Sequence, residues 1–317
     1  MYSETNSNSK LPGVSIGMPV YNDEKYISHA LDSLLAQSFE DFELIISDNA
    51  STDRTGEICK AYAAKDSRIR YIRQSANVGP QANFMYLLSH ATGEFFMWAA
   101  SDDLWDSKFI STLFDALKRN EQATSAFCPF LYIDEDNKAI GHTQSFDYSG
   151  KSAFLRIAKF CYYYNDAFIY GLHRRELIKN IKIPIWWWIN SKIPMNCAYP
   201  VLVFFLACGG YVQVGESPLW FNRIHLKGKP RHSADGSKTV LVSYLSFQLR
   251  KINLFYESVR YAHLGTRSVF ITLSVATILL CRLVYDYLMQ TKAIFSIQLR
   301  RLGIRSKTNT FNKNSLG

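Results

Sequence analysis

The chain has 317 residues, 48% apolar and 15% aromatic, with 36 Lys or Arg against 27 Asp or Glu and a formal net charge of +9. This length and apolar share exclude a disordered or fibrous chain and allow one large α/β domain with appendages, or two modest domains. The positive balance points to an anionic partner (nucleic acid, anionic lipid or a phosphorylated ligand), and the six cysteines, with no C-x-x-C pair and no His at metal spacing, read as reduced core residues of a cytosolic protein.

Residues 1–12 are a polar tail without the basic and apolar segments of a secretory signal. Val14 to Val20 is an apolar run ended by a turn at Tyr21-Asn22-Asp23, the pattern of a first strand. Glu24 to Gln37 places Ile27, Ala30, Leu31, Leu34 and Leu35 at helical spacing, and Phe42 to Ser47 reads as a second strand, completing a βαβ unit. In the polar stretch that follows, Thr52 or Asp53 can cap a helix through Glu57, Ile58, Ala61 and Tyr62. Arg68 to Arg73 is a third strand. The turn Asn77-Val78-Gly79-Pro80 leads into a helix from Gln81 to Thr92, closed by Gly93, and Phe95 to Trp98 is a buried fourth strand. Such alternation implies a mostly parallel sheet covered on both faces, with ligands bound beyond the carboxyl ends of its strands.

Three polar clusters occupy those ends: Tyr21-Asn22-Asp23-Glu24, Asp48-Asn49-Ala50-Ser51 and Ser101-Asp102-Asp103. Adjacent carboxylates repel, so Asp102 and Asp103 at a strand mouth suit a shared divalent cation; the plainer alternative is a cap for a helix beginning near Asp106. No G-x-G-x-x-G or G-x-x-x-x-G-K-[ST] appears in these loops, which disfavours dinucleotide and P-loop sites.

The text PVYNDEKYISHALDSLLAQSFEDFELIISDNASTDRT, followed by RYIRQSANVGPQANFMYLLSHATGEFFMWAASDD, resembles the family 2 glycosyltransferases, nucleotide-sugar enzymes of the GT-A fold. The resemblance implies a Rossmann-like, mostly parallel sheet flanked by helices with a C-terminal helical extension. It also implies Pro19, Tyr21 and Glu24 near the base, Asp48 and Asn49 beside it, and Asn77, Gly79 and Asn83 on the diphosphate side. Asp103 is the favoured ligand of Mg²⁺ or Mn²⁺ and Asp102 the partner of the ribose hydroxyls or of a metal-bound water, with the reverse assignment open. Asn49 stands where the family often has a second acid, so the base stays undecided, with a UDP-sugar favoured.

Farther along, Thr124 to Ile133 reads as one strand, and Asp134-Glu135-Asp136-Asn137 as an acidic hairpin tip. Tyr162 to Leu177 resembles the acceptor-side segment of the family, where Arg174 and Arg175 either approach phosphate or remain on the surface. An inverting transferase needs a carboxylate to take the acceptor proton. The family's acidic pair should fall near Ala198-Tyr199, ahead of a helix from Tyr199 to Gly210, and no acid stands there. Asp166 is either the substitute or a cap for the segment beginning at Ala167; Glu216 as the base, or a chain that has lost catalysis, stays open beside it. Phe221 to His225, with Lys227, Lys229, Arg231 and His232, resembles a loop over the donor, where His225 either completes a metal shell or is merely exposed. Trp186-Trp187-Trp188 suits sugar stacking or a membrane interface. Val269 to Cys281 is too short to span a bilayer, which takes ~20 residues; it fits an anionic leaflet or a packed helix equally.

The resulting expectation is a polar tail (1–12), a nucleotide-sugar-binding half (13–118), an acceptor-side half (119–235), C-terminal helices (236–305) and a second polar tail (306–317). The expected activity is metal-dependent, inverting transfer of a sugar to a saccharide or lipid-linked acceptor hydroxyl, in cell-surface polysaccharide synthesis; a catalytically impaired nucleotide-sugar-binding module is the alternative. The expected location is cytoplasmic, with peripheral contact to an anionic membrane surface on the inner face of the plasma membrane left open. Nucleic acid is not expected as a partner, since the cations lie mainly in the C-terminal third and no nucleic-acid motif appears.

Overall fold

Apolar runs separated by polar turns build the first half as the sequence foretells. The computed structural model describes residues 11–163, 165–179, 181, 198–225, 255, 257–281 and 284. In order come β1 (Val14–Val20), α1 (Ile27–Leu35), β2 (Phe42–Asp48), α2 (Thr55–Ala63), β3 (Ile69–Arg73), α3 (Pro80–His90) and β4 (Phe95–Trp98). β1 runs parallel to both β2 and β4, and β2 parallel to β3. Helix α1 starts three residues later than the pattern suggests because the Asp23 carbonyl takes the N–H groups of Tyr26 and Ile27 and closes a turn first. Gly93 does not cap a helix. It presses on β1, where an added Cβ would lie 2.6 Å from the Ser15 nitrogen.

The second half departs from its expected text. Instead of one strand there are two, β6 (Ala123–Phe127) and β7 (Phe130–Ile133), broken at Cys128-Pro129. Pro129 has no N–H to give a ladder, so the chain leaves one sheet there and enters another. Before them come the two-residue β5 (Leu104–Trp105) and α4 (Phe109–Arg119), after them β8 (Ala139–Gln144) and α5 (Ala153–Tyr162). A short 3₁₀ segment (Asp166–Tyr170), β9 (Leu172–Arg174), α6 (Arg175–Ile178), α7 (Ala198–Cys208), β10 (Gly210–Gln213) and β11 (Trp220–Arg223) complete the order. The large sheet runs β10-β6-β9-β4-β1-β2-β3, with β9 antiparallel to both its neighbours; the small one runs β5-β11-β7-β8. The acidic tip is a hairpin turn, as expected: Asp134 Oδ1 accepts from the N–H groups of Asp136 and Lys138.

Helix α7 is apolar all round and accordingly buried, packing on α5 and the 3₁₀ segment. The buried Arg156 of α5 donates to the Leu206 carbonyl at its C-terminal end. A helix at 257–266 covers α7 through Tyr261, whose ring lies 5.8 Å from that of Phe204. Residues 269–281 form a further helix after a joint at Arg267, which has φ +51°. The three tryptophans 186–188, the basic residues 227–232 and the two polar ends at 1–10 and 306–317 lie outside the described residues.

Candidate functional site

The loops after β1, β2, β3 and β4 are tied into one rim. Asn22, held at φ +54°, takes the Thr52 N–H on its side-chain oxygen, while its own N–H goes to Ser51 Oγ. The Asp23 N–H donates to Thr55 Oγ1, and the Asp23 carboxylate receives the Ser101 hydroxyl. Glu24 accepts from the Arg54 N–H, and Asp53 accepts from the Glu24 N–H. Glu24 is therefore occupied in joining the first two loops at the start of α2. Tyr21 is 45% exposed on this rim, and Pro19 lies inside β1 opposite Ser47.

Asp48 ends β2 and is fully enclosed. It accepts from the Ser51 N–H at 2.8 Å, the Tyr71 hydroxyl at 2.7 Å and the Arg73 guanidinium at 2.7 Å. Burial alone would raise its pKa; the hydrogen bonds and the arginine outweigh it and hold the carboxyl below the ordinary carboxylate range. Asn49 uses its amide in both senses: Nδ2 donates to Asn77 Oδ1 at 3.0 Å, and Oδ1 accepts from the Val78 N–H at 2.8 Å. Asn77 also receives the N–H of Gly79, whose φ of +85° favours glycine before α3 begins. The buried Asn83 clamps α3 to Ser47.

The adjacent acids differ sharply. Asp103 is 1% exposed and accepts from the Trp220 indole at 3.1 Å, the Arg223 N–H at 2.8 Å and the Asn222 amide at 3.3 Å. Burial and the neighbouring Asp102 push its pKa well above the usual range, although the three donors around it suit the charged form. Asp102 is partly accessible, and its Oδ2 lies 2.7 Å from His225 Nε2. Asp102 lies in the turn after β4 and Asp103 directly ahead of β5: the first carboxylate meets the histidine and the second is enclosed by β11. Of the two, Asp102 is the more accessible and Asp103 the one held by protein donors. Neither acid caps α4, where Asp106 accepts from the Lys108 N–H.

From sequence Arg223 is one of the basic residues of the loop expected to clamp the diphosphate; in the structure it braces this mouth. Its guanidinium donates to the carbonyls of Asp102 and Asp134 and to Asn137 Oδ1, and it stacks over Tyr26 at 4.6 Å. The Tyr26 ring in turn lies 5.4 Å from that of His225. The charge and length of Arg223 were legible; its partners were not, because two of them sit in the hairpin tip some 90 residues earlier.

Arg174 does not join this cluster. Opposite Phe95 at the far end of β4, it donates to the carbonyls of Ala123, Leu117 and Asn120 and stacks over the Phe95 ring, so its guanidinium is spent inside the fold. Arg175 likewise donates to the Gly93 carbonyl. Asp166 is exposed at the start of the 3₁₀ segment, where Asn165 rather than Asp166 caps the Ala167 N–H. Tyr170, 5.3 Å from Trp220, connects the two regions: burial raises its pKa, and the charges of Asp103, Asp102 and Asp166 add to the effect. Glu216 sits exposed in the turn between β10 and β11.

Residues 15–190 match the model of the family described as glycosyl transferase family 2. The chain belongs to that family. Over 108 residues it is 32% identical to the glycosyltransferase GlyG of Streptococcus pneumoniae, covering 34% of this chain and 36% of that one. Over 101 residues it is 35% identical to GlyA of the same organism, covering 32% of this chain and 14% of that one. The family 2 chain thus spans well under two thirds of these relatives' length. Residues 1–349 of TarS from S. aureus share the GT-A fold with a TM-score of 0.61 at 18% identity, covering 85% of this chain and 71% of that one. Another structure of that fragment is in complex with UDP-GlcNAc.

Proposed function

We propose that this family 2 chain transfers a sugar from a nucleoside diphosphate, with UDP favoured, to the hydroxyl of a saccharide or lipid-linked acceptor, inverting the anomeric centre, in the synthesis of a cell-surface polysaccharide. The observation that carries the reading is the meeting of Asp102 and His225 at the mouth of β4, on a rim shared with the loops of Tyr21, Asp48 and Asn77. The GT-A fold of the TarS fragment, which holds UDP-GlcNAc, supports the donor class.

The Asp102 carboxylate would serve either Mn²⁺ or Mg²⁺, and the His225 imidazole beside it would favour Mn²⁺, with a diphosphate and water completing the shell. Among the described residues no cluster of three or more His, Cys, Asp or Glu could hold a metal ion, so the protein would contribute these two. When bound, the ion neutralises charge gathering on the leaving diphosphate. The chain itself does the rest. Asp48 and Asn49 hold the loops that receive the base, and Asp103 fixes β11 so that His225 faces Asp102. As the acceptor oxygen bonds to the anomeric carbon, the bond to the diphosphate breaks and its electron pair leaves on the diphosphate oxygen. Asp166 takes the acceptor proton.

A second reading, nucleotide-sugar binding without turnover, has a specific observation behind it: α7 begins at Ala198 with no acid in its first turn. Calorimetry with a panel of nucleotide sugars, paired with an assay of nucleotide release and product, separates the two. Turnover that depends on Mn²⁺ and falls at least 100-fold in Asp166→Asn supports the enzyme. Binding without product favours the module, and neither binding nor turnover overturns both.

A further inference from the structure

We propose that the outer face of the helix at 269–281 docks on an anionic lipid surface. This helix is apolar on two opposed sides. Val275 and Leu279 are buried towards the protein, with Ile271 and Ile278 packed beside them. On the other side Phe270 is 81% exposed and Leu273 63% exposed, and Val269 and Leu280 continue the same stripe. Positions 270, 273 and 280, with Thr277 between them, stay within one ~100° arc of a 3.6-residue helix. Exposed apolar patches of this continuity mark interaction surfaces rather than scattered surface residues.

The polar groups along the helix are already internally matched. The hydroxyls of Thr272, Ser274 and Thr277 donate to the carbonyls of Ser268, Phe270 and Leu273 one turn back. A face with Thr277 at its middle can therefore enter an apolar medium without an unpaired donor.

Charge selects the occupant. Residues 251–317 hold ten Lys or Arg and two Asp or Glu, which is eight of the nine net positive charges; the first 250 residues hold 26 against 25. The catalytic part is thus nearly neutral, and the strongly basic part carries the apolar stripe. A second copy laid on the stripe would bring two such cationic segments together, whereas anionic headgroups complement them. An in-plane helix with an apolar face among basic residues is how a protein lies on a bilayer. It also agrees with the absence, among the described residues, of any helix long and apolar enough to cross one.

The test uses the full chain with vesicles of phosphatidylcholine alone and of phosphatidylcholine with phosphatidylglycerol. Co-sedimentation should require phosphatidylglycerol, weaken on raising salt from about 0.1 M to about 0.5 M, and fall by roughly tenfold or more in the double variant Phe270→Gln/Leu273→Gln. Both positions are exposed, so the variant should keep its melting temperature and its nucleotide-sugar binding. Equal binding to both vesicle types, no binding, or undiminished binding by the variant overturns the proposal. So does a dimer in sedimentation equilibrium that the variant dissociates in the absence of lipid.

Discussion

Exchanging one oxygen for an amide at each acid separates the roles of Asp102 and Asp103. In Asp103→Asn the side-chain oxygen can keep the Arg223 N–H, but the amide nitrogen then confronts the Trp220 indole N–H, which now lies 3.1 Å from Oδ2, and the Asn222 amide. One buried donor left unpaired costs about 1–3 kcal/mol, which for a chain of this size lowers Tm by roughly 3–8 °C. Asp102→Asn replaces a partly accessible group whose partner is His225, so stability should change by less than about 1 kcal/mol while the carboxylate ligand is lost. Differential scanning fluorimetry with and without Mn²⁺ and UDP reads both effects. Asp103→Asn should melt early yet still be stabilised further by the two ligands together, whereas Asp102→Asn should melt normally and gain little from them. The reasoning fails if Asp103→Asn keeps its Tm and loses the ligand response while Asp102→Asn retains it.

Three other outcomes follow from the same contacts. His173 is buried against Ser125, Phe168 and Phe205, and burial pushes its pKa down from 6.5 to about 4. The unfolded chain takes up the proton first, so stability should decline as pH falls from 6.5 towards 4, by on the order of 3 kcal/mol. Urea titrations at several pH values should show that slope, and His173→Gln should flatten it. Asn49→Asp removes the donor to Asn77 and sets a buried carboxylate against that oxygen, so Tm should fall by roughly 3–8 °C and nucleoside diphosphate affinity should drop roughly 5–30-fold by calorimetry. Gly93→Ala forces a methyl against the Val14–Ser15 backbone, which cannot retreat within the sheet, and should cost about 1–3 kcal/mol in denaturant melts.

What the text discloses depends on how locally each feature is specified. β1 to β4 were legible because each is an apolar run bounded by polar turns, and the helices between them carry their own periodicity. β5, two residues long, and β9, three, are too short to form a pattern and exist only because longer neighbours pair with them. The break at Pro129 was visible in principle, since a proline inside an apparent strand argues against continuity. That acids cluster at the strand mouths was readable. Which of Asp102 and Asp103 turns inward was not, because the donors that decide it come from Trp220, Asn222 and Arg223, 117 to 120 residues later. Arg174 misleads for a similar reason: an arginine beside a presumed acceptor segment looks available until three backbone carbonyls claim it.

The clasp of β11 on Asp103 also sets the order in which the protein is finished on the ribosome. At about 5–20 residues per second, the acid emerges on the order of ten seconds before its partners have been translated. Until then the nascent β1-to-β4 layer holds an anionic mouth with no strand across it. A product terminated at residue 190 keeps the whole family 2 match and still lacks every one of those partners, so it should be unable to grip a donor.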